Sequence, residues 1–202
     1  GVSLGELKGG NGVVLDQAYA SRGWHKLTRF YEQAMSKHQY LIATILVDPQ
    51  VFDPKRSEKL RRFSELLLNN KTLLIFNEND AVATEEIKYG DNDRLALDCA
   101  LLYQANSLLF LTKPNGVINL SSSTATQNGT KYKPGSLIPL ITNYKAITDC
   151  IRDQNGLTGA VVLNDKVVYV PKGGMASKND CSIKAAKGGI LAVIASGLID
   201  TP

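Results

Sequence analysis

The chain has 202 residues, 44% of them hydrophobic and 21% charged, proportions ordinary for one soluble globular domain. Its 23 basic and 19 acidic residues give a net charge of +4 with no basic stripe, which argues against nucleic acid and suits an anionic small molecule. The longest apolar runs, LIATILV, SLLFLT and ILAVIA, fall far short of the roughly 20 residues of a membrane helix, and GVSLGELKGGNG lacks the regions of a signal peptide, so a cytoplasmic protein without membrane contact is expected.

Along the chain, Leu15, Ala18, Leu27, Phe30, Tyr31 and Ala34 recur at helical spacing between Val14 and about Lys37, interrupted around Ser21 to Trp24, which predicts one helix or two. His25 and His38 fall in this stretch with no HExxH pattern and read as surface or capping residues. LIATILV (41–47) reads as a buried strand, SEKLRRFSELLLNN (57–70) as an amphipathic helix, and TLLIF (72–76) as a second strand. Residues 77–93, NENDAVATEEIKYGDND, then set down six carboxylates and three asparagines against Lys88 alone. A helix follows to about Ala105, then a third strand, SLLFLT (107–112).

Such alternation of short apolar strands with helices predicts an α/β fold with a mostly parallel sheet covered on both faces. Ligands of such sheets sit beyond the carboxyl ends of the strands, where the acidic stretch and TKPNG (112–116) both emerge. Residues 120–135, rich in Ser and Thr, read as a flexible loop, and the Asn128-Gly129-Thr130 sequon within them as coincidental. GAVVLNDKVVYV (159–170) predicts a β-hairpin turning at Asn164-Asp165, and ILAVIASG a last strand. Cys99, Cys150 and Cys181 are odd in number and lack a CxxC, which fits buried thiols rather than disulfides or zinc. Residues 1–202 read as a single domain.

Two segments are suited to chemistry. In the acidic stretch, one of Asp91, Asn92 and Asp93 should cap the following helix. Asparagines beside carboxylates can grip an ammonium and a carboxylate together, because an amide both donates and accepts. A solvated connection is the alternative for the same composition. In PKGGMASK (171–178), two glycines precede a helix start, where backbone N–H groups favour anions, and Lys178 can meet a phosphate oxygen. This segment does not match GxxxxGK[ST], and an ordinary Gly-Gly turn remains the alternative.

Phe76 to Thr84, Glu86-Ile87-Lys88 and Gly90-Asp91-Asn92-Asp93 closely resemble the central signature of the glutamate 5-kinases, amino-acid-kinase-fold enzymes that open proline biosynthesis. The likeness continues through LLYQANSLLFLTKPNGV and GGMASK to the strand ending IASG. It implies a three-layer α/β/α sandwich, ATP and Mg²⁺ as cofactors, L-glutamate as substrate and a homo-oligomer. By the same resemblance Asn77, Asn79, Asp80, Asp91 and Asn92 hold the substrate, Asp93 orients the catalytic lysines, and Lys178 neutralises charge on the transferred phosphoryl group. Thr112, Lys113, Gly173, Gly174, Met175, Ser177 and Lys178 fall on the nucleotide side.

Departures from the family pattern gather on that nucleotide side. Lys113 replaces an acidic or amide residue, and the 159–170 hairpin replaces a Ser- and Gly-rich approach. The family's lysine-bearing first strand and loop have no counterpart in residues 1–202, so the domain reads as shortened at its N-terminus. Three readings follow: a glutamate 5-kinase, a non-catalytic homologue that binds glutamate or nucleotide, and a related kinase with another acceptor.

Overall fold

The computed structural model describes residues 12–82, 92–114, 116–119, 124–141, 159–163, 166–170 and 174–198. The chain divides into two compact units, Gly1–Leu95 and Ala96–Pro202.

In the first unit, helix α1 (Gly12–Ser36) is continuous. The expected interruption at Ser21 to Trp24 is absent because the half-buried stripe of Leu15, Tyr19, Trp24 and Thr28 runs through it at helical spacing. Strand β1 (Leu41–Val47) has the expected bounds. A 3-10 turn, Pro49–Phe52, leads into helix α2 (Pro54–Asn69), which starts three residues ahead of the expected Ser57. Pro54 occupies its first turn, where a missing N–H costs nothing and the fixed φ is already helical. Leu60 and Ser64, one helical turn apart, are its buried residues.

Strand β2 (Thr72–Glu78) pairs in parallel with β1 from Leu41↔Thr72 to Val47↔Glu78. It therefore extends two residues beyond the apolar run, and Asn77 and Glu78 are strand residues rather than loop. The ladder continues one step further, since the Asn79 N–H donates to the Val47 carbonyl at 2.8 Å. Backbone pairing, indifferent to side-chain polarity, sets this end.

The unit boundary falls within helix α3 (Asn92–Leu102). In the second unit, strand β3 (Ser107–Thr112) pairs in parallel with strand β8 (Leu191–Ser196), from Ser107↔Leu191 to Thr112↔Ser196. Helix α4 (Met175–Lys187) leads directly into β8. Leu97, Ala100, Leu108, Phe110, Cys181, Ala185 and Ile190 form the core between α3, α4 and β3. Leu109, Leu111 and Leu191, on the other face of the strand pair, are exposed. The parallel pairing expected of the apolar strands is thus present once in each unit, as a two-stranded sheet.

Three helices close with the same device. After α1, α3 and α4, a residue at positive φ (Gln39, Gln104 and Gly189) lets the chain fold back: Tyr40 N–H reaches Met35, Ala105 reaches Ala100 and Ile190 reaches Ala185. Helix α3 accordingly stops at Leu102 rather than Ala105.

The polar segment read as a loop contains a hairpin, strands β4 (Ala125–Gln127) and β5 (Thr130–Tyr132). Its turn residues Asn128 (φ 50°) and Gly129 (φ 77°) adopt the left-handed pair that a two-residue β-turn requires. Asn119, wholly buried, anchors it: its side-chain amide donates to the Tyr132 carbonyl at 2.9 Å, and its backbone exchanges bonds with Gly135 and Ser136. Strands β6 (Gly159–Leu163) and β7 (Lys166–Val170) form the antiparallel hairpin expected there; its turn residues lie outside the described set.

Among the described residues no helix is long and apolar enough to cross a membrane. Cys99 and Cys181 are free thiols; Cys150 lies outside the described residues.

Candidate functional site

Two strand ends place the residues singled out from the sequence. The first is the carboxyl end of β1–β2. Asn77 is half-buried at the last turn of β2, and the Asn92 amide, fifteen residues on, donates to its side-chain oxygen at 3.2 Å. One hydrogen bond therefore ties the strand end to the start of α3. Asn79 is half-buried and Asp80 exposed in the turn that follows, which the Val82 N–H closes on the Asn79 carbonyl at 3.1 Å. Asp93, next to Asn92, is only 7% exposed and sits in the first turn of α3, where the helix dipole favours a carboxylate. Asp91 lies outside the described residues.

The second place is the carboxyl end of β3–β8. Thr112 closes β3, and its carbonyl accepts the Gly197 N–H at 2.9 Å just past the end of β8. Lys113 follows, exposed. Helix α4 joins β8 through Gly188 and Gly189 and so runs antiparallel to it. Thirteen helical residues and six strand residues both span roughly 20 Å, which brings the start of α4 level with the strand ends. Packing agrees, because Met175 and Ala176 of α4 and Ile194 of β8 lie against the same buried pair, Val117 and Ile138. Gly174 is the N-cap and offers no side-chain cap to the first turn, which contains no acidic residue. Ser177 and Lys178 are half-buried one turn in. Gly173 lies outside the described residues.

Thus Asn77, Asn79, Asp80, Asn92 and Asp93 gather in the first unit, and Thr112, Lys113, Gly174, Met175, Ser177 and Lys178 in the second. The first place offers side-chain amides and carboxylates, the pattern for an ammonium and a carboxylate. The second offers a helix start behind a glycine, with a lysine one turn on, the pattern for phosphate oxygens.

Several polar residues at these ends were not singled out as site residues. Glu78, 8% exposed opposite Val47, is a buried carboxylate between Asn77 and Asn79. Asn179, 2% exposed, follows Lys178, and its side-chain Nδ2 has no hydrogen-bond partner among the described residues. Nothing in the local sequence separates it from the exposed Asp180 beside it.

The model of the amino acid kinase family matches residues 6–196. The chain belongs to the amino acid kinase family. Among its relatives, a glutamate 5-kinase of Paracoccus denitrificans is 34% identical over 203 residues, covering 100% of this chain and 49% of that protein. A glutamate 5-kinase of Trichlorobacter lovleyi is 33% identical over 182 residues, 90% of this chain and 44% of its own length. One from Yersinia enterocolitica is 34% identical over 186 residues, 92% of this chain and 46% of its own. The chain therefore spans about half the length of these relatives. The paired parallel strands with intervening helices are those of an amino-acid-kinase-like α/β fold.

Proposed function

We propose that this chain transfers the γ-phosphoryl group of ATP to the side-chain carboxylate of L-glutamate, giving glutamyl 5-phosphate and ADP, the first step of proline biosynthesis. The observation that carries the proposal is the Asn92–Asn77 hydrogen bond. It joins two amides from opposite ends of the acidic stretch beside Asp80 and Asp93, as a site for a zwitterionic amino acid requires. The similarity to the glutamate 5-kinases supports it.

In this reading Asp80 pairs with the substrate ammonium, while the amides of Asn77, Asn79 and Asn92 orient its carboxylates. The side-chain carboxylate is already ionised at neutral pH, so no general base is needed. An oxygen of that carboxylate forms a bond to the γ-phosphorus as the bond to the β,γ-bridging oxygen breaks, and that electron pair leaves with ADP. Repulsion between anions is the barrier. The start of α4 at Gly174 and the Lys178 ammonium lower it by meeting the phosphoryl oxygens, and Thr112 and Lys113 border the nucleotide.

Among the described residues no three His, Cys, Asp or Glu side chains lie together to hold a metal ion. The residues fit Mg²⁺ in the mode in which phosphate oxygens and water supply most of its ligands. Bound there, it adds positive charge to the transferred group. Glutamate alone among small acceptors should then give a hydroxylamine-trappable acyl phosphate when the protein is incubated with ATP and Mg²⁺. A hydroxamate from aspartate, or ATP-dependent phosphorylation of acetylglutamate or carbamate in its place, would reassign the acceptor. Glutamate binding without any hydroxamate would make the chain a non-catalytic binding homologue.

A further inference from the structure

We infer that Arg56, held by Gln50, is a substrate-binding residue that takes the α-carboxylate of the amino-acid acceptor; the inference rests on the reading of the first unit as the amino-acid site. Helix α2 joins β2 through Asn70 and Lys71 and runs antiparallel to it. Sixteen helical residues and seven strand residues both span roughly 24 Å, so the start of α2 is level with the carboxyl end of β2.

The loop from β1 to α2 is tied to the same place. Val47 accepts the Asn79 N–H at 2.8 Å, the Asp48 carboxylate accepts the Gln50 N–H at 2.8 Å, and the Gln50 side-chain oxygen accepts Arg56 Nη1 at 3.1 Å. The first bond fixes the start of this loop beside the turn at Asn79, and the other two set Gln50 and hold the guanidinium against it.

The charges on α2 set Arg56 apart. Arg61 pairs with Glu58 and Glu65, and Arg62 with Glu58. Among the described residues Arg56 has no carboxylate partner; its one side-chain hydrogen bond goes to the neutral amide of Gln50. It also occupies the first turn of α2 alongside Lys55, with no acidic residue there, where the helix dipole disfavours positive charge. The N-cap Asp53 carboxylate stands beside that turn but does not pair with Arg56, which leaves the guanidinium available to an anionic ligand.

The chemistry of the substrate asks for such a cation. Glutamate carries two carboxylates and one ammonium, yet Asn77, Asn79, Asp80, Asn92 and Asp93 supply only amides and negative charge. The side-chain carboxylate must remain open to the phosphoryl group, so the α-carboxylate is the one to be clamped. With Nη1 engaged by Gln50, the Nε and Nη2 edge of the guanidinium is left as a two-donor fork that matches a carboxylate.

Calorimetric titration of the whole chain tests this, with L-glutamate, with its α-amide and with a non-hydrolysable ATP analogue. R56Q should weaken glutamate binding about ten- to a hundredfold, leave the ATP analogue unchanged, and bind the α-amide as the wild type does. R56K, which keeps the charge without the fork, should fall between, and Q50A should show a smaller loss of the same sign. Unchanged glutamate affinity in R56Q, or an equal loss for the α-amide, would overturn the inference while leaving the proposed acceptor intact. A wild-type protein that bound the ATP analogue but no glutamate would overturn both.

Discussion

The two strand ends share one architecture and differ in what they present. In each unit a parallel pair ends beside a helix that runs back antiparallel, β1–β2 with α2 and β3–β8 with α4. The first end presents side chains: Asn77 and Asn92 bonded at 3.2 Å, the exposed Asp80, the buried Asp93. The second end presents backbone: Gly174 at the N-cap of α4, with Lys178 the charged side chain that ends its first turn. Side-chain amides and carboxylates select functional groups by donor and acceptor, as an amino acid requires. Backbone N–H groups and a lysine select negative charge in a compact cluster, as phosphate requires. One scaffold supplies both because the helix-dipole end of a βα unit is general and the side chains on it are not.

If the two ends divide the labour in this way, removing charge from the second should damage turnover most. Lys178→Ala should lower the rate of acyl phosphate formation by about a hundredfold or more with glutamate KM little changed. An unchanged rate would remove Lys178 from the second end's chemistry. A smaller effect of the opposite kind belongs to the first end. Asp80→Ala should raise glutamate KM by about ten- to a hundredfold at unchanged kcat and ATP KM, since it removes the partner of a charged ammonium. Smaller again is Asn92→Ala, which breaks the exposed tie to Asn77; about three- to tenfold in glutamate KM is expected, and a matching rise in ATP KM would contradict the division.

The smallest expected effect concerns Cys99, half-buried on α3. Burial, then the neighbouring Asp98 charge, pushes the Cys99 thiol up to about 12. The fold therefore favours the neutral thiol, and this contribution to stability is full below the unfolded value of about 8.5 and is lost as pH rises toward 12. The stability difference between wild type and Cys99→Ala should narrow between about pH 9 and 11 in urea titrations. A difference that stays flat across that range would show that the thiol is not buried as described.

The same contrast explains what the sequence could reveal. Continuous apolar runs bounded by polar residues marked β1 and β3 to the residue, and two β-rich runs about Asn164-Asp165 marked the 159–170 hairpin. Helix ends were harder, because glutamine stands where glycine is the usual signal: Gln39 and Gln104 take positive φ at some steric cost. The Asn128-Gly129 turn was present as a signal but is flanked by three-residue strands too polar to read as such. At the candidate site, amides and carboxylates clustered in sequence were visible. Gln50 and Arg56 were not, since their relation to Asn79 depends on the pairing of Val47 with β2, which no local pattern encodes.

The division of labour is tested most directly by titrating L-glutamate and a non-hydrolysable ATP analogue, side by side, into Asp80→Ala and Lys178→Ala. A crossed pattern is expected: Asp80→Ala loses glutamate affinity and keeps the nucleotide, while Lys178→Ala weakens the nucleotide and keeps glutamate. Equal losses of both ligands in either variant, or no loss in both, would contradict it.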